Sequence, residues 1–69
     1  MLTAEDVRRR VRELAEEYTR KGDNEEAHCR EDGLWVDVLT AIAAGAPDAA
    51  ELAKAALETD ALTFERWYA

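Results

Sequence analysis

The stretch EEAHCREDGLWVDVLTAIAAG, residues 25–45, contains no proline and has Gly33 as its one internal glycine. Its apolar residues recur with helical spacing: at 3.6 residues per turn, Ala27, Leu34, Val38 and Ile42 share one stripe, with Trp35 beside it and Leu39 at its edge. Glu31 falls near the middle of that stripe, one turn before Leu34 and Trp35. A carboxylate among core residues is stable only with a partner, because burial strips it of water. The fold must therefore bring Glu31 an arginine of the preceding helix, the Tyr18 hydroxyl or an indole N–H, and the arginine is the expected cation. Val36, Cys29 and Ala43 lie roughly opposite the stripe, so the helix is apolar on more than one side. Such a helix is central to its fold or touches a second subunit.

Helices are expected on either side of it. Thr3 and Asp6 have the spacing of an N-cap and its N3 partner, and Leu2 and Val7 that of a hydrophobic staple. Val7, Val11, Leu14 and Tyr18 continue a narrow apolar stripe, and Gly22 follows Arg20 and Lys21 as a helix stop. The first helix is thus predicted over residues 3–21, and the second, with Asp23 or Asn24 as its cap, over residues 24–44. Gly33 marks either a close approach of another backbone or a weak point in that second helix. Gly45-Ala46-Pro47-Asp48 is the next break, and Asp48 with Glu51 repeats the capping spacing, so a third helix is predicted over residues 47–58. Thr59-Asp60 either caps a short helical segment over residues 60–68 or lies within a continuing third helix. The expected architecture is all-α, a compact single-domain bundle of three helices with a short helical C-terminal segment.

Of the 33 hydrophobic residues, 14 are alanines, which leaves about 17 larger apolar side chains to hold the core. A core of that size supplies only about 3–5 kcal/mol, which makes a homodimer the expected state. Val36, Phe64, Trp67 and Tyr68 are the candidate interface residues, three of them within the last six positions. The net charge of −7 is uneven, +1 over residues 1–22 and −8 over residues 23–69. That balance disfavours direct binding of nucleic acid, which needs clustered lysine and arginine, and suits a protein partner with a basic surface. The longest apolar runs fall far short of the ~20 residues of a membrane span. Helix signals begin almost at Met1, so no signal peptide and a cytoplasmic location are expected.

One constellation could carry chemistry. His28 reaches Glu31 or Asp32 one helical turn on, and Trp35 lies one turn further. His28, Glu31, Asp32 and Trp35 are therefore the candidate binding residues, for a protein partner or a small ligand. An imidazole with carboxylates on adjacent turns also suits a divalent metal. The facing stripes of helices 1 and 3 offer no further ligands, however, so a metal site would have to be completed across a dimer. With a single cysteine, no glycine-rich phosphate loop, no nucleophile elbow and no HExxH pair, the chain reads as a non-enzyme with no cofactor.

The run Ala27-His28, Glu31-Asp32, Leu34-Trp35-Val36-Asp37-Val38-Leu39 and Ile42-Ala43, followed by Ala55-Ala56-Leu57, Thr59 and the ending Phe64-Glu65-Arg66-Trp67-Tyr68, resembles small uncharacterised acidic helical proteins of actinobacteria and their phages. The likeness covers about residues 23–69 and leaves out most of the first helix. It assigns no catalytic residue. It implies a short acidic cytoplasmic protein of the phage type, many of which bind and block a host protein. The expected function is a small acidic protein-binding module, possible alternatives being a metal- or ligand-binding oligomer built on His28, Glu31 and Asp32, and a structural subunit without chemistry.

Overall fold

The computed structural model describes residues 1–64. Three α-helices, α1 (Ala4–Lys21), α2 (Asn24–Ala43) and α3 (Ala49–Leu57), pack against one another, and α3 tightens into a single 3₁₀ turn over Glu58–Ala61. No strand occurs among the described residues, and the all-α bundle expected from the periodicity is what forms.

Local chemistry sets the ends of α1 and α2. The Asp6 N–H donates to Thr3 Oγ1 (3.1 Å) while the Thr3 N–H donates to Asp6 Oδ2 (3.0 Å), a reciprocal capping box. Gly22 stops α1 in the left-handed region (φ 65°), its N–H donating to the Tyr18 carbonyl at 2.7 Å. Asp23 follows directly as the N-cap of α2, its Oδ1 accepting from the Glu26 N–H at 3.0 Å. Two residues therefore turn the chain from α1 into α2. Gly45 (φ 92°) ends α2 in a Schellman arrangement, with the Ala46 N–H on the Ala41 carbonyl and the Gly45 N–H on that of Ile42.

The third helix starts two residues later than its sequence suggests, and without a side-chain cap. Asp48 sits at φ −104°, ψ 35°, whereas an N-cap carboxylate reaches the first-turn amides from extended backbone such as that of Thr3, where ψ is 162°. Glu51 instead pairs with Lys54 at 3.6 Å. At the C-terminal side, Thr59-Asp60 caps no new helix. Thr59 belongs to the 3₁₀ turn, and Leu62 after it is extended (ψ 146°).

Two apolar clusters hold the bundle. Val7 and Val11 of α1, Leu34 and Val38 of α2, and Leu52, Ala55 and Ala56 of α3 form the central one. The second is smaller: Leu14, Ala27 and Phe64 are buried together with Tyr18 and Leu62 against them. The Tyr18 and Phe64 rings meet at 5.6 Å between centroids, tilted by 60°. Phe64, expected at an interface, is thus 2% exposed and packs on its own chain, because Leu14, Ala27 and Tyr18 leave an apolar recess at that end of the α1–α2 pair. The other two aromatic interface candidates, Trp67 and Tyr68, lie outside the described residues, as does the remainder of the segment expected over residues 60–68.

Candidate functional site

The candidate binding residues of α2 divide between its inside and its outside. Glu31 is 3% exposed, buried as its place in the stripe requires and withdrawn from any partner surface. It is not without a partner, yet four of the five arginines of α1 pair with other carboxylates: Arg8 with Glu58 (3.5 Å), Arg9 with Asp6 (3.4 Å), Arg10 with Asp37 (2.8 Å) and Arg20 with Glu17. Those four ion pairs do not include Glu31. Arg8, Arg9 and Arg10 are drawn to exposed carboxylates within their own reach, which costs less than following Glu31 into the core.

His28 is half-buried, and its Nε2 lies 3.5 Å from Asp32 Oδ1 on the outer side of the helix. The helix thus turns Asp32 outward and Glu31 inward, and the two carboxylates do not converge on one ion. Among the described residues no three His, Cys, Asp or Glu side chains are grouped to hold a metal.

Trp35 is the residue around which a surface is built. Its indole N–H donates to Thr59 Oγ1 (3.1 Å) and to the Ala56 carbonyl (3.3 Å), and the fully buried Thr59 hydroxyl donates in turn to Ala56 (3.1 Å). The polar edge of the ring is satisfied inside the protein, while its apolar face lines a groove between α2 and α3. Leu39 and Ile42 continue that wall along α2, and Ala53, Ala56 and Leu57 form the wall on α3. Val38 lies at the base, and the space enclosed is about 180 Å³. Every lining side chain is apolar. Leu39 is 64% exposed, Leu57 60% and Val36, just outside the groove, 60%, so the α2–α3 junction presents a contiguous apolar surface of the kind that marks interaction sites.

Sequence reasoning named Trp35 and Val36 but not Leu57 and Ala53, the residues that complete the groove on α3. The signal that separates them is angular: at 100° per residue, Leu57 lies about 140° from Leu52, and only Leu52 can face inward.

Charge is distributed unequally around the groove. At the Trp35 end lie Asp32, exposed one turn earlier on α2, and Asp60, exposed in the 3₁₀ turn that Trp35 holds. Glu58 of the same turn is matched by Arg8, and Lys54 on α3 by Glu51. A second depression, between α1 and α2, is lined by Arg10, Glu13, Leu14, Arg30, Gly33 and Leu34. Its two cations already face Asp37 and Glu26. A Cβ built on Gly33 would meet nothing within 4 Å, so the glycine permits no close approach and is a weak point of the helix. Cys29 is exposed, on the side of α2 where Val36 and Ala43 also lie. No helix of the described residues is long and apolar enough to cross a membrane. No protein-family model, no curated protein and no solved structure matches this chain.

Proposed function

We propose that this protein is a small acidic binding module that acts by docking on another protein through the α2–α3 surface. The observation that carries the reading is the all-apolar groove of Trp35, Leu39, Ile42 and Leu57, open to solvent beside a satisfied and closed core. Leaving such side chains in water forgoes about 25 cal/mol for each Å² that a partner would cover. The acidic balance of residues 23–69 directs the surface to a partner with basic groups. The resemblance of this region to small phage-type proteins adds a finer reading, in which the partner is a host protein whose activity the module modulates. Neither reading assigns a catalytic residue.

The test compares wild type with Leu39→Glu and Leu57→Glu, both at exposed positions where the fold tolerates a charge. Each protein is coupled to a resin and exposed to a bacterial extract, and bound proteins are identified by mass spectrometry. A specific protein retained by wild type, released by salt and lost with both variants supports the reading. Retention that is indifferent to both substitutions refutes it.

A further inference from the structure

Resting on that reading, we infer that the groove takes one amphipathic α-helix of the partner, about two turns long at the contact, with a lysine or arginine at the end that lies over Trp35. The dimensions come first. From Trp35 to Ile42 the α2 wall rises about 10 Å, two helical turns, so an inserted helix would place apolar residues at i, i+4 and i+7 along it. The opposite wall is built on Ala53 and Ala56, side chains short enough to let a helix backbone approach closely. An added β-strand has nothing to pair with, because both walls are helices whose backbone groups are spent internally, and no strand edge exists among the described residues.

Charge then orients the occupant. Asp32 and Asp60 lie at the Trp35 end, Asp32 with only the His28 imidazole against it among the described residues (3.5 Å), while Arg8 of α1 and Lys54 of α3 already face Glu58 and Glu51. A cation on the incoming helix is favoured at that end and a carboxylate repelled.

The same features weigh against a second copy of this chain. Apart from Met1, the exposed large apolar residues among those described are Trp35, Val36, Leu39 and Leu57. From its described residues a copy would therefore offer its own groove to this one, concave against concave, and set Asp32 and Asp60 against their equivalents. The outer face of α1 is not an alternative insert, since Val7, Val11 and Leu14 are already buried.

The experiment is a selection from a displayed library of helical 14-residue peptides, randomised at all outward positions, against the full chain. The expected consensus has apolar residues at i, i+4 and i+7 with lysine or arginine at one end. For a peptide of that consensus, made synthetically, Leu39→Glu or Leu57→Glu should weaken binding by more than about tenfold. Asp32→Asn and Asp60→Asn should each weaken it by about two- to fivefold, an effect that vanishes in high salt. Replacing the terminal cation with glutamate should reverse the salt dependence and lower affinity further. Enriched peptides without helical spacing, an acidic consensus, or binding unaffected by Leu39→Glu would overturn the inference. So would sedimentation showing a dimer that Leu39→Glu dissociates, which would assign the groove to a second copy. If the captured protein of the preceding test still depends on Leu39 and Leu57, the docking surface stands and only the helical, basic character of its occupant fails.

Discussion

The two sides of α2 are built to different specifications. Toward α1 it is joined by a two-residue turn, starts on a bonded cap, and is laced to its neighbour by Arg10–Asp37 and Lys21–Glu26. Phe64 and Tyr18 seal that end. Toward α3 the connection is longer, the third helix begins without a side-chain cap, and Leu39 and Leu57 stand in solvent across a bare groove. One side spends its apolar surface on stability and the other withholds it. Both sides share the same central cluster, so the difference is not one of folding against misfolding. It teaches that an apolar residue on a small helix must be judged by the angle it occupies, since α2 carries leucine and valine on both sides.

The hardest test of that contrast is truncation on each side. Phe64→Ala should destabilise the fold by about 3–5 kcal/mol, the usual cost of emptying a buried aromatic site, read as a lower urea midpoint. Leu57→Ala should stay within about 0.5 kcal/mol. Equal losses would mean that the groove is as much a part of the core as the Phe64 recess, and the contrast would collapse.

The caps sharpen it next. Thr3→Ala removes one half of a reciprocal pair and should cost about 1 kcal/mol, whereas Asp48→Ala removes no side-chain bond and should cost much less. Thermal melts of the two variants decide this, and a larger loss for Asp48→Ala would show α3 to be capped after all. Gly33→Ala probes α2 on the face turned from the groove. With open space around the added methyl, the gain in helix propensity should raise stability by up to about 1 kcal/mol. A lower melting temperature would reveal a neighbour that the open space does not suggest.

The smallest effects are electrostatic and belong to α1. The Thr3 backbone N–H, and then its hydroxyl, hold the Asp6 carboxyl below the usual aspartate range. Arg20, joined by Lys21, lowers that of Glu17. A depressed folded value means stabilisation present above the unfolded pKa and lost as pH falls through the folded one. Stability should therefore decline from about pH 4 downward, and less steeply in Asp6→Asn or Glu17→Gln. A slope unchanged by both substitutions would remove α1 as its source.

Much of this contrast is legible in the chain itself. Thr3, Asp6, Gly22 and Asp23 act through neighbours three or four residues away, so spacing alone reveals them. Glu31 is readable as buried because six apolar residues fix the angle of its stripe. Its counter-group is not readable, since a partner comes from whichever element lies opposite, and of the four arginines near the start of helix 1 three pair with other carboxylates. The start of helix 3 was misjudged because a capping spacing says nothing of the backbone angles between Pro47 and Ala49. The groove is hard to read because alanines fill most of α3, so composition alone gives it no inside or outside, and only the angle between Leu52 and Leu57 separates core from surface.

The Gly22–Asp23 turn has a consequence in time. Because these two residues set a left-handed stop and a helix start back to back, the α1–α2 hairpin closes a very short loop, which costs little chain entropy. Contacts so local are expected to form in microseconds, ahead of the docking of α3. A nascent chain would thus hold its first two helices together while the side of α2 that forms the groove is still waiting for its second wall, and Leu39 would meet solvent before Leu57 ever arrives.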